Sequence, residues 1–97
     1  MTGMKFDNEK PMADLLLDMP LALSEVIDVL TQGAEKYAPG NWAHVDSAER
    51  RYKAASFRHE LALAEGIKRD DETGCHHLAH KLCCDLFRLE LALRGEQ

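Results

Sequence analysis

Residues 76–93, "HHLAHKLCCDLFRLELAL", are the stretch that decides the fold class. Five side chains in it recur three or four positions apart: His77, His80, Cys84, Phe87 and Leu91. That spacing places all five on one face of an α-helix, and the face becomes more apolar toward its C-terminal end. Gly95 follows as a natural helix terminator. The stretch therefore predicts a long helix whose buried face begins with histidines and ends with apolar side chains.

Two earlier segments have the same helical periodicity. One runs from about Pro20, which suits a first helical turn, to Tyr37. Its apolar stripe is expected to face inward and consists of Val26, Leu30, Gly33/Ala34 and Tyr37, widened by Leu23 and Ile27. The other begins after a cap at Asp46 or Ser47 and ends near Gly66. A short helix is predicted within residues 12–19, and residues 71–73 are expected to start the third long helix. Because strand-like alternation is absent, the predicted class is all-α, a small helical bundle.

Length and composition narrow the range of functions. Ninety-seven residues with 45% hydrophobic content predict one domain over residues 1–97, with a polar N-terminal arm at 1–11. A core of this size is small, so completion of the bundle by oligomerisation is expected. The net charge of -5 argues against a nucleic-acid partner, because phosphate-binding domains carry a basic face. No apolar run could span a membrane and no signal-peptide plan is visible, which predicts a cytoplasmic protein.

The histidines and cysteines of the third helix allow more than one interpretation. His76, His80 and Cys84 have a spacing that could hold a zinc ion, but structural zinc sites usually take two separated ligand pairs. Alternatively, the histidines are satisfied within the helical core and the cysteines are small buried thiols. A zinc-storage or sensor domain is therefore one alternative, and the spacing disfavours it.

Basic and acidic groups elsewhere are typical of phosphate chemistry. Arg51 and Arg58 lie two turns apart on the second helix, and guanidinium groups bind phosphate oxygens in a bidentate manner. Clustered carboxylates are the ligands that Mg²⁺ prefers, and the bound ion can activate water and neutralise phosphate. Taken alone, each feature is explained more simply by a solvated helix face.

Three blocks of sequence, taken in order, help to decide between the interpretations of these histidines, arginines and carboxylates. The first block has the residues Gly33, Ala34, Lys36, Tyr37, Asn41 and Trp42. The second has Arg51, Tyr52, Arg58 and His59. The third has Gly66, Asp70, Glu72, Thr73, Gly74, His77, Leu78 and His80. In this order the chain resembles the phage and bacterial dATP/dGTP diphosphohydrolase family, the MazZ-type branch of the all-α MazG-like nucleoside triphosphate pyrophosphohydrolases.

The resemblance implies hydrolysis of dGTP or dATP to the monophosphate and pyrophosphate with Mg²⁺ or Mn²⁺, in a dimer or tetramer. In phages this activity controls nucleotide pools or supplies modified-purine synthesis, so the compartment would be the host cytoplasm. The catalytic residues expected from it are Glu25, His59, Glu72 and His80. The expected substrate-binding residues are Lys36, Asn41, Trp42, Arg51, Arg58 and His77. The expected metal ligands are Glu25, Asp70 and Glu72.

Two alternatives accompany this expectation. Trp42 can stack on the purine or can instead plug the end of the bundle, since aromatic burial alone would account for it. The whole chain can also be a non-catalytic interaction or regulatory module. In that case Arg58, His59 and Glu72 are expected to be solvated and unpaired.

Overall fold

The computed structural model describes residues 10–97 and confirms the all-α prediction. A 3-10 helix at Ala13–Asp18 precedes helix α1 at Pro20–Lys36, with Pro20 at its first position. A second 3-10 helix at Asn41–His44 leads to α2 at Ala48–Ala64, and α3 spans His77–Gly95. The only bridge of β type in this part of the chain is the isolated Arg69–His76 pair. Apart from Lys10 and Pro11, the predicted arm lies outside the described residues.

Helix α3 organises the bundle because it packs against both α1 and α2. The buried side chains at these contacts are small: Val26, Ser56, Cys75, Ala79 and Cys83, together with His77. Small side chains let helix backbones approach one another closely. The core is therefore formed by closely spaced helices with few large side chains between them. The predicted inward face of α3 is confirmed from His77 to Leu91, whose members are buried or half-buried.

The apolar stripe predicted to face inward along α1 is only partly buried. Val26 is buried, but Ile27 and Tyr37 are 59% and 65% exposed. Leu30 is also exposed, at 39%. The prediction of an inward stripe was wrong for these three within a single chain, because α3 covers α1 along a narrow line around Val26.

The segment between α2 and α3 also differs from the sequence prediction. Helix α3 begins at His77, several residues after the predicted start at 71–73, and His76 caps it by accepting a hydrogen bond from the Leu78 N–H through Nδ1. Residues 70–74 instead form a turn around Asp70, where Gly74 adopts a φ of 74°. At the start of α2, Ser47 holds the N-cap position but its side chain makes no capping bond.

Hydrogen bonds between helices are few and specific. Lys81 Nζ on α3 donates to Ser56 Oγ on α2, at 3.1 Å, and to Asp85. Arg88 pairs with Glu49 at the start of α2, again linking α3 to α2. None of the helices that the structure describes is long and apolar enough to cross a bilayer.

Candidate functional site

A cavity of about 1280 Å³ opens between the C-terminal end of α1, the second 3-10 helix, α2 and α3. Its lining includes seven of the residues predicted for the site: Lys36, Asn41, Trp42, Arg51, Arg58, Glu72 and His80. Residues from four separate elements therefore meet around one space. The remaining predicted residues, Glu25, His59, Asp70 and His77, are not part of its lining.

Cationic side chains from α1 and α2 line the cavity. Arg51 and Arg58 are exposed, and neither forms an ion pair with any residue from Lys10 onward. Lys36 pairs with Glu72 at 3.1 Å, and this hydrogen bond raises the pKa of the lysine. Arg50, which was not predicted, also lines the cavity. The wall therefore presents guanidinium groups that can bind an anion.

Trp42 lines the same cavity, but its ring also packs against other side chains of the bundle. Its ring stacks on Phe87 of α3, with 4.6 Å between centroids and 8° between planes. The Arg94 guanidinium lies 5.2 Å from the same ring, and Tyr52 donates its hydroxyl hydrogen to the Trp42 carbonyl. These contacts agree with the bundle-plug interpretation, because the indole already has an aromatic partner within the chain. Stacking of Trp42 on a purine stays a prediction.

A second cluster lies next to the cavity and consists of His59, Asp70 and His77. One potential ligand atom from each of the three lies within 4.8 Å of the others, and no other such group of three occurs in residues 10–97. His59 Nδ1 and His77 Nδ1 are 2.8 Å apart, so one ring donates and the other accepts. His77 is buried, whereas the other two are half-buried.

His80 joins the cluster to the cavity. Its ring stacks on that of His59, with centroids 4.7 Å apart, and it is itself a cavity-lining residue. His80 Nε2 lies 2.7 Å from Thr73 Oγ1, which in turn contacts Asp70 Oδ1. Thr73 was overlooked as a site residue. Its spacing three positions after Asp70 is typical of an Asp-initiated turn and could have indicated its role.

The electrostatics of the cluster follow from burial and from its hydrogen bonds. Burial, with help from the neighbouring His80 and His77, lowers the pKa of His59 to about 4. Burial also lowers the pKa of His80, against the opposing effect of Asp70. For Asp70, burial raises the pKa, but the N–H groups of Thr73 and Glu72 together with His80 more than offset it, and the net change is a lowered pKa. At neutral pH the site holds neutral His59 and His80 rings beside an ionised carboxylate.

Glu25 is held away from this cluster. Its Oε2 accepts hydrogen bonds from the His76 backbone N–H at 2.8 Å and from Arg69 at 3.1 Å. Glu72, for its part, is paired with Lys36. The structure therefore does not bring Glu25, Asp70 and Glu72 together as a ligand set, and metal binding by Glu25 and Glu72 stays a prediction. Arg69, which was not predicted, is what holds the Glu25 carboxylate alongside the 69–76 segment.

The alternative zinc set of His76, His80 and Cys84 is not assembled either. These residues do not form a cluster of ligand atoms in the described part of the chain. His76 Nδ1 is occupied as the cap of α3, and burial raises the pKa of the Cys84 thiol. A zinc ion needs the thiolate, so this set is poorly suited to it.

Comparison with known proteins agrees with the sequence resemblance. The family model described as "dATP/dGTP diphosphohydrolase, N-terminal" matches residues 1–97. A dATP/dGTP diphosphohydrolase of Salmonella phage PMBT28 is 45% identical over 80 residues, which cover 82% of this chain and 26% of that protein. This chain thus spans about a quarter of the length of that curated relative. No solved structure matches. The chain belongs to the dATP/dGTP diphosphohydrolase family and matches the part of it that the family model describes as N-terminal.

Proposed function

We propose that this chain hydrolyses a purine deoxynucleoside triphosphate, dGTP or dATP, to the monophosphate and pyrophosphate. The observation that carries the proposal is that Arg51, Arg58 and Lys36 line one cavity, with His80 linking that cavity to Asp70. A triphosphate needs several cations close together, and its hydrolysis needs a positioned water. The name of the phage relative agrees with this substrate class.

The arginines bind the phosphates in this proposal. Arg51 and Arg58 keep their charge at all physiological pH values and have no competing carboxylate among the residues described, so they are free to bind phosphate oxygens. Lys36 must first exchange Glu72 for phosphate. That exposed pair is weak in water, so a polyanion can displace the carboxylate.

The neutral histidine beside the phosphates orients the water. His80 lines the cavity, and Thr73 fixes its ring through the 2.7 Å contact at Nε2. Because burial keeps the ring neutral, one ring nitrogen can accept a hydrogen bond from a water that attacks phosphorus. Asn41 lines the same cavity and is proposed to contact the base or the sugar.

A divalent ion, Mg²⁺ or Mn²⁺, is part of the proposal. The donor set suits Mn²⁺ better than Mg²⁺, since Asp70 supplies an ionised carboxylate and His59 and His77 supply ring nitrogens, with the three ligand atoms within 4.8 Å of one another. When bound, such an ion polarises phosphate oxygens and lowers the pKa of water. Glu25 and Glu72 remain proposed ligands that would have to leave Arg69 and Lys36.

A homo-oligomer, dimer or tetramer, completes the proposed assembly. Five leucines along α3 are about half exposed, although they sit on a helix central to the bundle: Leu78, Leu82, Leu86, Leu89 and Leu93. Apolar surface of this kind usually marks an interface. The biological role proposed is control of the purine deoxynucleotide pool of a phage-infected cell, or supply of a monophosphate for modified-purine DNA.

A product assay tests the function. The purified chain is incubated with dGTP, dATP, dCTP or dTTP and either Mg²⁺ or Mn²⁺, and the phosphates released are separated by chromatography. Purine monophosphate with pyrophosphate is the expected result. Arg58→Ala should lower kcat/KM by about 10- to 100-fold, the effect of one charge-assisted hydrogen bond. Lys53→Ala, on the same helix but outside the cavity lining, should leave it unchanged.

Two results of the product assay would contradict the proposed function. Release of inorganic phosphate without pyrophosphate would contradict cleavage between the α and β phosphates. Absence of turnover with every triphosphate and both ions would favour the non-catalytic module. The structure favours that module less, since His59 and Glu72 both have partners, although Arg58 is exposed.

A further inference from the structure

The His59–His77 contact has a geometry that suits a shared ion. Two nitrogens that bind one ion at about 2.1 Å and at right angles to each other lie about 3 Å apart. The observed Nδ1–Nδ1 distance is 2.8 Å, close to that separation. The rings are tilted by 43° to each other, and an ion bound here would replace the proton that the two nitrogens share in the metal-free chain.

Asp70 leaves one of its two oxygens available to such an ion. Its Oδ1 accepts hydrogen bonds from the backbone N–H groups of Glu72 and Thr73 and from the Thr73 hydroxyl. Within the described part of the chain, no donor is assigned to the second oxygen, Oδ2. The turn therefore fixes the carboxylate through one oxygen while the other stays free for coordination.

The donor types decide which ion fits. Imidazole nitrogens are good ligands for first-row transition ions and poor ones for Mg²⁺ and Ca²⁺, which select oxygen. We propose that His59, Asp70 and His77 bind a divalent first-row transition-metal ion through two imidazole nitrogens and one carboxylate oxygen, in preference to Mg²⁺. The site is held on three elements, α2, the 70–74 turn and the start of α3. Three protein ligands leave further positions open to water or phosphate.

The proposed ion site rests on the proposed function only for the role of the ion in hydrolysis. Binding of the ion can be measured without nucleotide. A chain that binds the ion but hydrolyses no triphosphate would therefore sustain the site and remove the function. A chain that hydrolyses triphosphates with Mg²⁺ alone, and ignores transition ions, would do the reverse.

The experiment is a titration of metal-stripped protein with Co²⁺, followed by its visible absorption and by calorimetry. We expect one equivalent to bind with the absorption of a nitrogen- and oxygen-ligated ion, and a large excess of Mg²⁺ to leave that spectrum in place. His59→Gln and Asp70→Asn should each weaken binding by at least about tenfold. The Asn variant retains an oxygen for the turn, and circular dichroism checks that each variant keeps its helices.

The control addresses the competing cysteine site. Cys84→Ser removes the sulfur of the alternative zinc set and should bind Co²⁺ as tightly as the unsubstituted chain. Loss of binding in Cys84→Ser, or unchanged binding in a folded His59→Gln variant, would overturn the proposal. Displacement of Co²⁺ by an equal concentration of Mg²⁺ would overturn the stated preference and with it the nitrogen ligation.

Discussion

At the scale of single residues, the site depends on how three histidines share one small space. His59 stands between His77, which lies 2.8 Å from it through Nδ1, and His80, on whose ring it stacks. Three imidazoles this close cannot all carry a proton without strong repulsion. The negative charge of Asp70 acts in the opposite direction on the pKa of His59. Because the pKa values of His59 and His80 are both lowered, these two rings are neutral near pH 7.

A pH dependence of stability follows for the metal-free protein. Burial lowers the pKa of His59 to about 4 from the ordinary 6.5, so between these values the unfolded chain takes up a proton that the folded chain refuses. The contribution of His59 to the free energy of unfolding is therefore fully present above about pH 6.5 and is lost as the pH falls toward 4. Because the ring is partly exposed, we expect His59 to account for about 1–2 kcal/mol of that loss. Urea unfolding between pH 7 and pH 4, with chelator present, measures it.

A substituted chain checks the assignment. His59→Gln should flatten this part of the profile, whereas His44→Gln, in the second 3-10 helix, should leave it unchanged. An equally steep profile in His59→Gln would mean that another group causes the acid sensitivity. His80, whose pKa is also lowered by burial, would be the next candidate.

At the scale of elements, the connection from α2 to α3 positions most of the site. Glu25 on α1 holds this segment at both ends, since its Oε2 accepts from Arg69 and from the His76 N–H. Arg69 in addition donates to the Gly74 carbonyl and so ties the two ends of the turn together. The carboxylate also lies at the N-terminus of α3, where a negative charge is favourable. Helix α1 thus controls where Asp70, His77 and His80 stand.

Removal of the Glu25 carboxylate should therefore destabilise the chain. We expect Glu25→Ala to lower the free energy of unfolding by about 1–3 kcal/mol, the cost of losing hydrogen bonds to a charged group. Glu35→Ala, an exposed position on the same helix, should change it by less than about 0.5 kcal/mol. Urea denaturation at pH 7 gives both values. Equal stability of the two variants would show that Glu25 does not anchor the segment and would leave its carboxylate available as a metal ligand.

Helical periodicity located the helices well, whereas the turn between α2 and α3 was not predicted. Pro20 and the apolar spacing located α1 correctly, and the face of α3 from His77 to Leu91 was predicted from spacing alone. The start of α3 was placed too early because Asp70 caps a turn with its side chain, and residues that cap a turn resemble those that cap a helix. The meeting of His59 with Asp70 and His77 depends on how α2 lies against α3, which no local pattern encodes.

At the scale of the whole molecule, the chain leaves a large apolar surface uncovered. Leu82, Leu86, Leu89 and Leu93 on α3 follow helical spacing, and each is between 47% and 55% exposed. Beside them, a smaller apolar cavity of about 550 Å³ lies between α1 and α3 and is lined by Leu21, Leu78 and Leu82. The sequence predicted that a bundle this small would need a partner. It could not predict which face stays open, because each leucine is compatible with either side until the helices are packed.

Charge placed on this surface should dissociate the proposed oligomer. We expect Leu82→Glu combined with Leu89→Glu to shift the sedimentation coefficient toward that of the monomer, because burying two carboxylates in an apolar interface is unfavourable. Lys53→Glu on α2 is the matched control for an added negative charge. Analytical ultracentrifugation at several protein concentrations provides the measurement. An unsubstituted chain that sediments as a monomer at all concentrations would contradict the oligomer, and an unchanged oligomer in the double variant would place its interface elsewhere.

The small side chains between the helices should determine which substitutions the buried positions tolerate. In most domains truncation of a buried residue is the damaging change, because the core is filled by large side chains. Here the most deeply buried positions are Ser56, Cys75 and Cys83, where little volume remains to be removed. Enlargement at the same positions would push the backbones of α1, α2 and α3 apart. The mutational tolerance of this protein is therefore expected to be inverted, permissive toward smaller residues at its centre and restrictive toward larger ones.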